Sequence, residues 1–200
     1  MTNEILLIGD SLTEWYQANN GWGGQMKKWY GNKATIINKG FGGYTSEMIK
    51  SMITNIIGNK KKNNLVMCTI LLGTNDCYYE GRYISSENYK KNILFIIDQI
   101  LNINPQTSIL LCTPPTTLGD PNKILDYVNK VYQIKKERLY VHLIDLHKGP
   151  FKIVASDLTD GIHFNENGST KLFHNIQNTI IHNCNKLTPS HISHLLEIDS

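Results

Sequence analysis

The chain has 200 residues, of which 40% are hydrophobic and 18% charged, with a net charge of +3. A chain this long can bury roughly 70% of its unfolded surface in one core, and its composition is that of a globular domain. The small, dispersed charge argues against nucleic acid as a partner, and no apolar stretch is long enough to span a bilayer.

The one basic run, Lys60-Lys61-Lys62, reads as a solvated loop between a helix and a strand. Met1-Thr2-Asn3-Glu4 leads straight into a strand pattern, without the basic-then-apolar order of a signal peptide, so a cytoplasmic location is expected. Cys68, Cys77, Cys112 and Cys184 form no CxxC pair and have no histidine at zinc spacing. They read as reduced thiols, Cys68 and Cys112 as small core residues, and no metal site is expected. Repeats and linkers are absent. One domain is expected over residues 1–185, followed by a tail, residues 186–200, of unknown role.

In chain order, Ile5-Leu6-Leu7-Ile8, ending at Gly9, predicts the first strand, and Ala34-Thr35-Ile36-Ile37 the second. Leu65 to Leu72 predicts the third, Ser108 to Cys112 the fourth and Tyr140 to Ile144 the fifth. These apolar runs are continuous, as strands covered on both faces require. Tyr89, Ile93, Ile96, Ile97 and Ile100 recur at helical spacing after a cap at Ser85 or Ser86, and that helix should stop before Pro105. Asn122–Glu137 and Gly168–His182 read as helices too. Alternation of this kind predicts an α/β fold with a doubly wound parallel sheet between helix layers. In such a sheet ligands bind beyond the carboxyl ends of the strands.

Four segments fall there. Gly9-Asp10-Ser11-Leu12 follows strand one, Asn38-Lys39-Gly40-Phe41-Gly42-Gly43 strand two, and Gly73-Thr74-Asn75-Asp76 strand three. Asp160-Gly161-Ile162-His163 lies between strand five and the last helix. Together they offer a hydroxyl, backbone N–H donors, a side-chain amide and an acid/base pair, which is the set acyl transfer needs. A serine hydroxyl requires a base to take its proton, the base requires a carboxylate to orient it, and the oxyanion requires preorganised donors. Each segment alone has a plainer reading. Ser11 could cap a helix, the glycines could form a turn, Asn75 could be a turn former and His163 a surface histidine. Their occurrence in order, each after a strand, favours catalysis. Of the seven histidines, only His163 has an acidic partner at this spacing in a segment that can reach strand one. His142 reads as structural, His147 is left open, and Asp10 reads as a residue that ties down the turn.

These four blocks resemble those of the SGNH hydrolases, or GDSL esterases and lipases, from Gly9 to about Lys171. Gly21-Trp22-Gly23, the Asn38-to-Tyr44 block and Thr113-Pro114-Pro115 are most similar to the isoamyl acetate-hydrolysing esterase branch. The resemblance implies a flavodoxin-like three-layer α/β/α sandwich on a five-stranded sheet. It assigns Ser11 as nucleophile, His163 as base and Asp160 as its orienting acid. The backbone N–H groups of Ser11 and Gly43 and the side-chain amide of Asn75 would form the oxyanion hole, with Gly40 a second possibility for the glycine donor. Cys77 stands where the pattern would have a smaller residue, and the tail, with His191 and His194, matches nothing in it. The expected activity is hydrolysis of short-chain esters, acetyl above all, on a small-molecule substrate and without metal or organic cofactor. A carbohydrate O-deacetylase or thioesterase using the same residues is the alternative within enzymes, and a flavodoxin-like binding protein the alternative outside them. Trp15, Trp22, Tyr78, Tyr79, Tyr83 and the stretch from Thr113 to Pro121 are candidates for the walls of the site.

Overall fold

A computed structural model describes residues 2–15, 20–58, 62–78, 81, 83–117 and 121–192. Five parallel strands, β1 (Asn3–Gly9), β2 (Ala34–Gly40), β3 (Leu65–Leu71), β4 (Ser108–Cys112) and β5 (His142–Ile144), lie in the order β2-β1-β3-β4-β5. This is the flavodoxin-like order, in which the chain reverses direction across the sheet between β1 and β3. The helices are α1 (Ser11–Glu14), α2 (Trp22–Tyr30), α3 (Ser46–Ile57), α4 (Thr74–Tyr78), α5 (Ser86–Ile103), α6 (Pro121–Glu137) and α7 (Glu166–Asn183).

Successive side chains of a strand point to opposite faces, so each central strand feeds two cores. Ile5 and Leu7 of β1 pack with Trp22 and Met26 of α2 and with Leu172 and Ile176 of α7. Leu6 and Ile8 pack on the other face with Ile49 and Ile53 of α3, Ile93 and Ile97 of α5 and Val131 of α6. Continuous apolar runs were thus the right signal for β1, β3 and β4. β2 departs from it: apart from Ala34 it is only partly buried or exposed, because it forms an edge of the sheet.

Ser85 caps α5 by accepting from the Asn88 N–H, and the helix ends at Ile103, ahead of Pro105. α7 begins two residues before the expected start, at Glu166, because the Asn165 side chain takes the Gly168 N–H and acts as its cap. Pro121 opens α6, where a missing N–H costs nothing. β5 is shorter than expected because the Val141 N–H turns back to the Arg138 carbonyl.

The segment set apart as a tail is tied down as far as residue 192. Leu187 and Ile192 are buried with α2 and α7, the Tyr30 hydroxyl donates to the Leu187 carbonyl (2.8 Å), and the Asn3 amide donates to that of Ile192 (2.7 Å). All four cysteines are buried and free. Lys60, Lys61 and the stretch from 193, with His194, lie outside the described residues, while Lys62 pairs with Glu4. Among the described residues no helix is long and apolar enough to cross a membrane.

Candidate active site

Strand β1 ends at Gly9, and the chain turns at once into α1. The turn is held by Asp10, whose buried carboxylate accepts the Leu12 N–H (2.9 Å) and caps the helix. Ser11 is therefore the first residue of α1 rather than its cap. Burial pushes the Asp10 carboxyl up to about 7; the Leu12 N–H works against that rise and the nearby charge of Asp76 adds to it. This matches the expected role of Asp10 in fixing the turn.

The partners of Ser11 come from a short closed loop. Leu158 pairs with Phe164 across its base, and the Thr159 N–H donates to the His163 carbonyl (2.8 Å). Inside it, one oxygen of Asp160 accepts the N–H groups of Ile162 (3.0 Å) and His163 (2.8 Å). Its other oxygen lies 2.7 Å from His163 Nδ1, and His163 Nε2 lies 2.9 Å from Ser11 Oγ. The backbone N–H of His163, followed by its ring, holds the Asp160 carboxyl well below the usual carboxylate range. An ionised carboxylate only accepts, so Nδ1 carries the proton and Nε2 presents its lone pair to the Ser11 hydroxyl. A residue 152 positions away in sequence is thus in place to receive that proton.

The loop rests on Asp157, whose fully buried carboxylate accepts from Val154 N (2.8 Å), Asn167 Nδ2 (2.5 Å) and Lys171 Nζ (2.7 Å). Gly168 lies against the Asp157 carbonyl so closely that a Cβ there would stand 2.3 Å from its oxygen. Sequence reading passed over this anchor, because buried acid and lysine are fourteen residues apart with no local pattern joining them.

On the other side of Ser11, Gly43 and Asn75 line a compartment of about 240 Å³ together with Gly42, Thr74, Ile162, Trp15 and His163. Gly43 has φ +75°, a backbone conformation that other residues adopt only with strain. The Asn75 amide donates to the Tyr44 carbonyl (3.0 Å), which fixes its orientation. Gly40, the second possibility as donor, is the last residue of β2, and its N–H is taken by the Asn38 side chain (2.8 Å). Gly43 lines the compartment beside Ser11, and Gly40 does not.

The profile of the GDSL-like Lipase/Acylhydrolase family matches residues 7–171. The chain belongs to this family. The matched stretch contains all four segments around Ser11. A GDSL esterase/lipase of Arabidopsis thaliana is 31% identical over 120 residues, which are 58% of this chain and 50% of that protein. The chain thus spans half the length of this plant relative. The mouse isoamyl acetate-hydrolyzing esterase 1 homolog is 24% identical over 196 residues, 86% of this chain and 79% of that protein. The solved structure of a Clostridium thermocellum family 3 carbohydrate esterase superposes with a TM-score of 0.73 at 18% identity, covering 94% of this chain and 100% of that one. At that identity the likeness shows a common fold.

In this GDSL-family chain a second compartment, of about 130 Å³, opens on the other flank of the histidine. Leu12, Trp22 and Phe164 give it apolar walls, and Trp15, Thr159, Asp160 and Ser169 complete it beside Ser11 and His163. Trp15 borders both compartments and stacks on the His163 ring at 4.2 Å. Trp22 is buried, with its indole N–H on the Leu12 carbonyl. Of the other wall candidates, Tyr83 is exposed and lines neither compartment, Tyr79 and residues 118–120 lie outside the described residues, and so does the side chain of Tyr78. His142 is half-buried on β5, and burial lowers its pKa. His147 is engaged by the Pro114 carbonyl (2.7 Å) and Thr116 (3.3 Å), and it borders neither compartment. No group of three metal-ligating side chains occurs among the described residues.

Proposed function

We propose that this protein hydrolyses short-chain carboxylic esters, acetyl esters above all, through an acyl-enzyme on Ser11. The observation that carries the reading is the continuous Asp160–His163–Ser11 chain of hydrogen bonds, 2.7 and 2.9 Å long. As the Ser11 oxygen bonds to the ester carbon, its proton passes to His163 Nε2, and Asp160 steadies the resulting imidazolium. The negative charge that builds on the carbonyl oxygen is received by the N–H groups of Ser11 and Gly43 and by the Asn75 amide. When the C–O bond breaks, His163 returns the proton to the departing alcohol. Water then repeats the sequence on the acyl-enzyme, and Ser11 is regenerated. Each proton taken is given back by the same side chain, so the cycle calls for no metal or organic cofactor.

Size supports a short acyl group. The apolar compartment beside Ser11 measures about 130 Å³, below the roughly 300–1,000 Å³ of sites for drug-sized ligands. The mouse relative's name, an isoamyl acetate-hydrolyzing esterase homolog, points to the same class of ester. A series of p-nitrophenyl esters from C2 to C12, run beside acetylated sugars on wild type and Ser11→Ala, tests the proposal. Turnover should peak at C2 to C4 and drop to background in Ser11→Ala. Activity that survives in the variant would remove Ser11 as nucleophile, and a maximum at C8 or beyond would remove the short-chain reading.

A further inference from the structure

The two donors beyond Ser11, Gly43 in the loop after β2 and Asn75 in α4 after β3, come from segments that follow different strands. These strands do not pair with each other, since both flank β1 and β2 is the free edge of the sheet. No ladder of hydrogen bonds therefore fixes one segment directly against the other. A misplacement of about 1 Å is enough to cost ~100-fold in rate, so something else must hold their separation.

Polar contacts cross this gap directly. One is the bond from Asn75 to the Tyr44 carbonyl already described. Others converge on Asp76, the residue after Asn75. Its carboxylate, fully buried, accepts the Ser46 N–H (3.1 and 3.0 Å) and the Ser46 hydroxyl (2.5 Å). The Ser46 oxygen in turn accepts from Asn92 Nδ2 of α5 (3.0 Å). Donor directions along this chain are fixed, because the amide nitrogen can only donate and the carboxylate only accept. Asp76 is also anchored from behind, its carbonyl taking the Ile84 N–H (3.1 Å) and the Tyr127 hydroxyl (3.2 Å). Ser46 is the first residue of α3, three positions after Gly43, so whatever holds Ser46 holds the glycine loop. A buried carboxylate is costly unless fully hydrogen-bonded, and this one directs its bonds to Ser46, at the start of α3 across the gap.

We infer that Asp76 is a positioning residue which, through Ser46, holds the Gly43 loop and Asn75 at the separation the oxyanion requires. The inference rests on the proposed roles of Gly43 and Asn75. It acts through the donors and touches no substrate itself. Asparagine in place of Asp76 keeps the shape, but its NH2 group then faces a Ser46 donor.

The test is a double-mutant cycle on p-nitrophenyl acetate with Asp76→Asn and Asn75→Ala. Asp76→Asn should lower kcat ~10- to 100-fold with KM within about threefold, since the oxyanion forms only after binding. In the Asn75→Ala background the same change should cost at least about threefold less than it does in wild type, because one of the two donors it positions has gone. Losses that multiply, or a change confined to KM, would overturn the inference. Circular dichroism and thermal melts check that each variant is folded. Should Asp76→Asn fail to fold, Ser46→Ala, which keeps the backbone N–H and loses the hydroxyl, takes its place in the same cycle with the same criterion. An inert Ser11→Ala with a multiplicative cycle removes the coupling alone. Full turnover in Ser11→Ala, or in Asn75→Ala, removes the reading of the site beneath it.

Discussion

The strongest demand on the site falls on Asp160, and Asp160→Asn isolates it. The carboxylate does two jobs: one oxygen caps the N–H groups of Ile162 and His163, and the other receives the Nδ1 proton. Asparagine can keep the first job with its carbonyl oxygen. At Nδ1 it presents an NH2 group, so the ring must accept there and carry its proton on Nε2, facing Ser11. The base is then lost while the loop survives. In serine hydrolases with a buried acid the equivalent change costs about 10⁴-fold in kcat. Here the Asp160 side chain is 53% exposed, so water can compete for the ring and partly restore the useful tautomer. A loss of ~10²- to 10³-fold follows, about 3–4 kcal/mol of barrier. The comparison with Asp160→Ala sharpens the case. Alanine gives up both backbone bonds but locks no tautomer, so the asparagine variant should be no faster than the alanine variant despite its better-held loop. The assay is kcat on p-nitrophenyl acetate, with melting curves to show that both variants are folded. Asp160→Asn retaining activity within about fivefold of wild type would refute the assignment of Asp160 as the orienting acid.

Two further outcomes concern the scaffold. Gly168→Ala should destabilise the protein by about 1–3 kcal/mol, because the new methyl meets the Asp157 carbonyl 2.3 Å away and this outweighs the better helix propensity of alanine. A melting temperature equal to or above wild type would show that α7 can move aside. Stability should also depend on pH through Asp10, whose carboxyl burial raises from 3.8 to about 7. The folded state then binds the extra proton, so this contribution is complete below about pH 4 and is lost as pH rises through 7, roughly 2 kcal/mol of it between pH 5.5 and 8. Asp76, raised to about 6 by burial, acts in the same sense, while His142, lowered by burial, acts in the opposite one. The difference between wild type and Asp10→Asn in urea melts therefore reads Asp10 itself, and equal pH dependence in the two would contradict its burial as a titrating group.

Much of this protein is written locally. The apolar runs at Ile5, Leu65 and Ser108 locate central strands because a strand covered on both faces has no polar side to show. Ser85 and Pro105 bracket α5 because capping and the missing proline N–H act within one turn. The four segments around Ser11, Gly43, Asn75 and Asp160–His163 are legible because in a parallel sheet every strand end points to the same rim. Four helices left no clear trace: α1 and α4 are four and five residues long, α2 carries two glycines, and α3 runs through serine, threonine and asparagine. Propensity over such stretches is weak, and packing against the sheet decides them.

What the tertiary structure alone decided are the relations between segments far apart in the chain. Strand order put β2 at the edge, and so left the Gly43 loop to be held by Asp76 and Ser46, thirty residues apart. Closure of the fold laid Trp15 on His163, set Asp157 beneath the loop that carries His163, and drew Leu187 and Ile192 into the core. Side-chain identity announces which chemistry a residue can perform. Distance and burial, which set hydrogen-bond direction and pKa, depend on what packs against it, and no window of sequence contains that.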